Sequence, residues 1–93
     1  MNTKKVSHSE VFPGDKVMPP IREVNLWMKR DAIAMGLPLE SLLLTVKSIT
    51  QNYKKDKDGE WTFIDANYSM EFSFGHRITF LMRPTTKIEK AVA

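Results

Sequence analysis

Cysteine is absent from the 93 residues. This absence excludes disulfide bridges, thiol nucleophiles and thiolate metal ligands. The sequence also has no run of about 18 consecutive apolar residues, so no membrane-spanning helix is predicted. Two lysines near the N-terminus are followed by no apolar stretch, so a signal peptide is not predicted either. We therefore expect a cytoplasmic protein, without a membrane partner, whose fold is held by packing alone.

Histidine is scarce as well, because His8 and His76 are the only two and lie far apart in the sequence. A metal site needs a cluster of ligands, so no metal site is predicted. The acidic turn at residues 56–60 does not fit a calcium loop, since Lys54 would occupy the first ligand position. No glycine-rich phosphate loop is present, and we expect no cofactor.

The net charge is +3, with a sequence pI near 9.3. The basic residues are spread along the chain rather than gathered in one tail or stripe. Dedicated polyanion binders usually show stronger clustering than this. A nucleic-acid partner is therefore permitted by the charge but is not indicated by it.

Two stretches have the apolar spacing of amphipathic helices. The first follows Pro20 and ends near Gly36, and these residues favour the start and the end of a helix. The second is predicted over residues 39–53. Because the link between them is short, residues 20–53 are expected to form a helical hairpin. The predicted inner faces comprise Ile21, Val24, Met28, Ala32 and Met35 in the first helix, and Leu39, Leu42, Leu43, Val46, Ile49 and Tyr53 in the second.

After the charged turn at residues 54–59, the period of the apolar residues changes to two. Strands are predicted at about residues 60–64, 68–74 and 77–83. A regular two-residue turn at Gly75 would put the apolar rows on opposite faces, so an irregular turn is predicted there. It would pair Phe74 with Ile78, Phe72 with Phe80 and Met70 with Met82. One sheet face would then carry Trp61, Phe63, Met70, Phe72, Phe74, Ile78, Phe80 and Met82.

These elements predict an α+β fold with two layers, in which the helical hairpin packs on one face of a three-stranded antiparallel meander. The element order would be α-α-β-β-β. A short N-terminal strand near residues 15–18 is an additional element that the sequence permits. The length fits a single domain spanning residues 1–93. Its parts would be an extended arm (1–19), the helical hairpin (20–53), the sheet (60–84) and a frayed tail (85–93).

The second sheet face has no helix left to cover it and carries the first candidate site. In the predicted register Glu71 lies diagonal to Arg83, next to the turn. A carboxylate, an imidazole and guanidinium groups together could bind a partner or perform acid–base chemistry on a phosphodiester. A solvated face with one ion pair is the simpler interpretation. The candidate binding residues of this face and turn are Glu71, Ser73, His76, Arg77, Thr79 and Arg83.

The second candidate site lies on the first helix. Leu26 and Ile33 point away from its predicted inner face and have basic neighbours. A helix that buries one face seldom carries two large aliphatic residues on the other, so this pair predicts a dimer or partner contact. A broader buried face is the alternative. The candidate residues of this patch are Arg22, Leu26, Lys29, Arg30 and Ile33, and Leu44 is a similar outlier on the second helix.

Residues 16–41, KVMPPIREVNLWMKRDAIAMGLPLES, resemble a ribbon-helix-helix repressor in their order of short strand, helix, glycine turn and second helix. That resemblance implies a dimer whose strands read bases in the major groove of DNA. In this sequence Asp15 and Lys16 are the main polar residues that the strand offers to bases. The resemblance covers about a third of the chain.

A strand followed by two helices and three strands is also similar to RelE-like toxins, which are small basic ribonucleases. That resemblance implies a catalytic set on the exposed sheet face. Residues 68–74 contain serines and one glutamate where that family has an arginine-rich strand. The residues of this sequence that could form the set are Lys54, Glu71, His76, Arg77 and Arg83.

We expect from these patterns a small non-enzymatic binding or regulatory module that acts through protein–protein contact or self-association. Two copies could share the uncovered sheet face or an open edge strand. A nucleic-acid-binding regulator and a small ribonuclease are the alternative hypotheses.

Overall fold

The computed structural model describes residues 2–20, 22–73 and 75–92. These residues form an antiparallel sheet of six strands, one α-helix and two short 3-10 helices. At residues 22–25 and 39 the backbone is described but the side chain is not. The helix α1 (Arg22–Met35) follows β2, and a short 3-10 helix (Leu39–Leu42) precedes β3. The strands are β1 (Thr3–Val6), β2 (Lys16–Val17), β3 (Leu44–Lys55), β4 (Trp61–Phe72), β5 (Arg77–Met82) and β6 (Ile88–Ala91).

The strand order in the sheet is β1-β6-β2-β3-β4-β5, and the sheet is curled. Strands β3 and β4 form a long hairpin that pairs from Leu44–Phe72 to Lys55–Trp61. Strand β2 covers only the start of β3, and β5 covers β4 only as far as Ala66. The far half of the hairpin therefore extends as a two-stranded ribbon, in a molecule that measures 56 × 25 × 23 Å.

The predicted second helix is wrong, because residues 44–55 form β3. Leu44 and Val46 are buried side by side in one row, with 0% and 1% of their surface exposed, while Thr45 and Lys47 alternate with them. Over this short stretch the spacing of the apolar residues fits the period of a helix as well as that of a strand. Its β-branched residues favour a strand, and pairing with β4 decides the outcome.

The predicted helical hairpin on a three-stranded meander is consequently wrong as a fold. Two of its strands, at 60–64 and 68–74, are one continuous strand, β4. The predicted arm contributes β1 and β2, and the predicted tail contributes β6. Val6 pairs with Ile88, and both side chains are buried. Residues 3–6 and 88–91 are thus paired with each other in the sheet, rather than forming a free arm and a frayed tail.

The main core lies on the inner face of the curled sheet, and α1 packs over part of it. Met28 of α1 contacts both this core and a smaller cluster formed by Met18, Ala32 and Leu42. Met35, which the helical pattern assigned to the inner face, is 71% exposed instead. The side chains of Ile21 and Val24 lie outside the described residues. The main core consists of Val6, Val11, Val17, Leu44, Val46, Ala66, Tyr68, Met70, Phe72, Met82 and Ile88.

The predicted end of the first helix agrees with the structure. Gly36 has a φ of 70°, a conformation that glycine adopts without a steric penalty. The Leu37 N–H donates to the Ala32 carbonyl at 2.8 Å, and the Gly36 N–H donates to the Ile33 carbonyl at 3.1 Å. These two bonds form a Schellman motif, which satisfies the last carbonyl groups of α1.

The turn between β4 and β5 contains Gly75, whose φ is 93°. The observed register pairs Met70 with Ile78 and Tyr68 with Phe80. The expected pairs of Phe72 with Phe80 and of Met70 with Met82 are therefore wrong, and Phe74 lies outside the described residues. The apolar rows of the two strands still share one face. Trp61, which was expected on that face, lies near the hairpin tip and is 67% exposed.

Tyr68 is fully buried, and its hydroxyl donates to the His8 carbonyl at 3.2 Å. Burial raises the pKa of the Tyr68 phenol above its ordinary value of 10.0. The contribution of the neutral phenol to stability is therefore complete below the unfolded-state pKa and is lost as pH rises through the folded-state pKa.

We expect the wild type to lose more unfolding free energy than Tyr68→Phe when the pH is raised above about 10, because only the wild type must ionise a buried phenol. Urea unfolding of both proteins on either side of that pH measures the difference. Tyr53→Phe is the control, because Tyr53 is 48% exposed. Equal alkaline losses in the wild type and in Tyr68→Phe would contradict the expectation.

Candidate functional site

The outer face of the sheet brings together three of the predicted site residues. Glu71 lies opposite Arg77, and its Oε2 accepts a hydrogen bond from Arg77 Nε at 2.9 Å. Thr79 follows on the same face of β5 and is exposed. The Arg77 side chain is 67% exposed, so its pairing with Glu71 stabilises the fold by less than about 1 kcal/mol.

The other predicted residues of this face lie elsewhere. Arg83 lies far from Glu71. The preceding residue, Met82, pairs with Ala66, which is five residues, or roughly 17 Å, from Glu71 along β4. The Arg83 N–H donates to Thr86 Oγ1 at 3.1 Å. Ser73 is exposed in the turn. The Glu71–Arg83 diagonal expected from the sequence is therefore not formed.

His76 lies on the opposite side of the β4–β5 hairpin from Glu71. Its ring is 6.4 Å from the ring of Phe72, on the inner side of the sheet. Glu71 points to the outer side and is already paired with Arg77. The described residues thus do not assemble an acid–base pair from Glu71 and His76. They also contain no group of three His, Asp or Glu side chains that could hold a metal ion.

The second candidate site is the outer face of α1, formed by Leu26, Lys29, Arg30 and Ile33. The Leu26 and Ile33 side chains are 57% and 72% exposed. On the opposite side of the helix, Ala32 is buried at 2% exposure. The side chain of Arg22, the remaining residue predicted for this patch, lies outside the described part of the chain.

Exposed apolar side chains are concentrated around this helix. Among the described residues eleven large apolar side chains are exposed, and five of them lie within residues 26–37. Trp27, at 63% exposure, and Met35 were not predicted as exposed. The expectation failed because a short 3-10 helix, rather than a second long helix, packs beside α1. The outer face of α1 therefore lies in a segment that carries about half of the exposed large apolar side chains among the described residues.

A cleft separates α1 from the β1–β6 end of the sheet and adjoins the α1 outer face. Its volume is 340 Å³. Within it Lys5 lies opposite Glu89 in the register, and Glu89 Oε2 accepts a hydrogen bond from Thr3 Oγ1 at 3.2 Å. The residues that line the cleft are Lys5, Pro19, Pro20, Leu26, Lys29, Lys87, Ile88 and Glu89.

The charge around the α1 outer face and the cleft is positive. Lys5, Lys29, Arg30 and Lys87 are four cations, whereas Asp31 and Glu89 are two carboxylates, which leaves a surplus of two positive charges. Arg30 Nε is 3.8 Å from Asp31 Oδ1. Within the described ranges, none of the three lysines is in an ion pair.

Sequence reasoning missed Lys5 and Lys87. Both lie in segments that were taken for an extended arm and a frayed tail. They reach the cleft only because β1 pairs with β6 across almost the whole length of the chain. No local pattern signals that pairing, because the two strands have four residues each.

Within the described residues, no helix has the length and apolar character needed to cross a bilayer. Comparisons of the chain with protein-family models, with curated proteins and with solved structures found no match. Function is therefore inferred from the α1 outer face and the cleft themselves.

Proposed function

We propose that this protein is a non-enzymatic binding module that recognises an acidic amphipathic segment of a partner protein. The binding surface would be the α1 outer face together with the adjoining cleft. The observation that carries the proposal is the exposure of Leu26 and Ile33 on a helix whose other side is packed. Apolar residues gathered on the surface of a small protein, with polar residues around them, mark an interaction site. A core that needs no disulfide supports placing the protein in the cytoplasm.

An apolar centre with a charged rim favours a protein partner over a nucleic acid. Leu26 and Ile33 supply the apolar centre, and lysines supply the rim. Nucleic-acid interfaces are more polar and more strongly positive than this. Glu89 would repel phosphate groups in the cleft, and none of the described residues lining the cleft offers an aromatic ring on which a base could stack.

The spacing on α1 favours a helical partner. Leu26 and Ile33 are seven residues apart, which is about 10.5 Å along a helix. A partner helix with apolar residues at matching i and i+7 positions could contact both of them. The surplus of cations around the surface favours acidic residues beside the apolar row of that partner.

A pair of synthetic peptides tests this proposal. Both peptides would carry leucines at i, i+4 and i+7 on one face, flanked by glutamate in one peptide and by lysine in the other. We expect the full chain to bind the acidic peptide at least about tenfold more tightly than the basic one in isothermal titration calorimetry. Added salt should weaken that binding, because it screens the charged rim.

A mixed-sequence oligonucleotide serves as a third ligand in the same titrations. We expect it to bind more weakly than the acidic peptide. Equal affinity for the two peptides, no binding of either, or tighter binding of the oligonucleotide would contradict the proposal.

A further inference from the structure

We propose that two copies of this chain pair through the free edge of β5, in an antiparallel arrangement around a two-fold axis. This contact lies on a different surface from the α1 outer face, and it goes beyond the proposed binding function. The free backbone groups of β5, the neighbouring groove and the register that the strand permits all support such a contact.

Strand β5 is an edge of the sheet, because among the described residues it pairs only with β4. The Phe72 N–H donates to the His76 carbonyl at 2.8 Å, so these two residues form a hydrogen-bonded pair. In an antiparallel pair of strands, such hydrogen-bonded pairs recur at every second residue. Ile78 and Phe80 therefore direct their backbone groups towards β4. The N–H and C=O groups of alternate residues, such as Thr79, point away from the sheet. No described residue bonds to those outward groups.

The free edges of β1 and β3 carry features that oppose strand addition, whereas residues 78–82 of β5 carry none of them. Strand β1 contains Lys4 and Lys5. The free part of β3 has two register shifts and ends with Lys54 and Lys55. Lysines and bulges are the usual protection of exposed edges. Residues 78–82 of β5 contain no charge and no proline, and their pairing with β4 is regular.

A groove of 290 Å³ runs beside β5 and could receive side chains of an added strand. Ile78 and Phe80 line it from β5, and Met28 lines it from α1. Both β5 side chains are only half-buried in the single chain. A strand added to the edge would direct every second side chain to this side of the sheet. The apolar row of β5 in a second copy supplies such side chains.

The sequence of β5 fits itself when the two-fold axis passes through Thr79. Thr79 then pairs with Thr79 of the second copy, and both have outward backbone groups, as a hydrogen-bonded pair requires. Ile78 lies opposite Phe80 of the second copy, so the apolar rows continue across the contact. Arg77 lies opposite Leu81 of the second copy, without a clash of charge.

Neighbouring registers are less favourable. A shift by one residue would put the apolar row of one strand opposite the polar row of the other. A shift by two residues in one direction would pair Arg77 with Arg83 of the second copy, which places like charges opposite each other. A shift by two residues in the other direction would pair Phe80 with His76, which lies outside β5.

Two substitutions at one exposed position test this register. Leu81 is 39% exposed, so a charged residue there should leave the fold intact. In the proposed dimer Leu81→Lys would place a lysine opposite Arg77 of the second copy, and Leu81→Glu would place a carboxylate there. We expect sedimentation equilibrium to show a reversible dimer for the wild type. The dissociation constant should be at least about tenfold higher for Leu81→Lys and unchanged or lower for Leu81→Glu.

Thr79→Pro is a second test, because it removes an outward N–H without removing a hydrogen bond to β4. It should sediment as a monomer, whereas the matched Thr79→Ser should still dimerise. A wild type that stays monomeric at all concentrations, or equal effects of Leu81→Lys and Leu81→Glu, would overturn the proposal. Leu26→Asp should leave the dissociation constant of the dimer unchanged. A missing dimer would therefore contradict the β5 contact alone, and missing peptide binding would contradict the proposed function alone.

Discussion

Leu44→Ala is expected to lower the free energy of unfolding by about 2–5 kcal/mol, because the substitution opens a cavity in the core. The Leu44 side chain has no exposed surface and belongs to the main core. Its backbone lies between two strands, opposite Val17 on one side and Phe72 on the other. The neighbouring side chains therefore have little freedom to move into the cavity. Urea unfolding followed by circular dichroism measures the loss.

The matched control is Leu26→Ala, because Leu26 is 57% exposed and removing its side chain leaves no cavity. We expect that variant to lose less than about 1 kcal/mol. The result also distinguishes the sheet from the helical hairpin predicted by periodicity, in which Leu44 pointed away from the apolar face. Similar small losses for both variants would contradict the position of Leu44 in β3.

The parts of the fold that could be predicted from the sequence are those with local signals. Gly36 ends α1, and Gly59, with a φ of 84°, closes the turn between β3 and β4. In that turn Asp56 Oδ1 accepts hydrogen bonds from the N–H groups of Asp58 and Glu60, both at 2.9 Å. Turn and capping chemistry depends on neighbouring residues only, so a short stretch of sequence contains it.

The parts that could not be predicted depend on contacts between distant segments. Residues 44–55 satisfy both a helical and a strand period, and only their pairing with β4 selects the strand. The contact of Val6 with Ile88 joins the two ends of the chain. Strands as short as β1 and β6 contain too few residues to show a periodic pattern in the sequence.

The candidate site shows the same division. The exposure of Leu26 and Ile33 followed from helical spacing, because α1 is a regular helix. The partner of Glu71 did not follow, because it depends on the length of the β4–β5 turn. The observed turn sets Arg77 opposite Glu71, whereas the predicted turn placed Arg83 diagonal to it.

Leu26→Asp is expected to weaken binding of the acidic peptide by at least about tenfold. Leu26 is the apolar residue that the α1 outer face and the cleft have in common. Burying a leucine side chain at an interface is worth about 1.5–3 kcal/mol, which corresponds to roughly a 10- to 100-fold change in affinity. The new carboxylate would also repel the acidic peptide. Stability should change by less than about 1 kcal/mol, because the position is on the surface.

The control for this prediction is Ile64→Asp. Ile64 is 45% exposed and lies in the distal part of the β3–β4 hairpin, outside the α1 outer face and the cleft. The same change of an exposed aliphatic residue to aspartate should leave peptide affinity unchanged there. Ile64→Asp adds one negative charge, as Leu26→Asp does. A comparison of the two variants therefore separates the effect of the position from the effect of the net charge.

Titration calorimetry of the wild type, Leu26→Asp and Ile64→Asp with the acidic peptide tests the central claim most directly. We predict that the wild type and Ile64→Asp bind with the same affinity, and that Leu26→Asp binds at least about tenfold more weakly. Binding by Leu26→Asp as tight as that of the wild type, or an equal loss in both variants, would show that the peptide does not dock on the α1 outer face and the cleft.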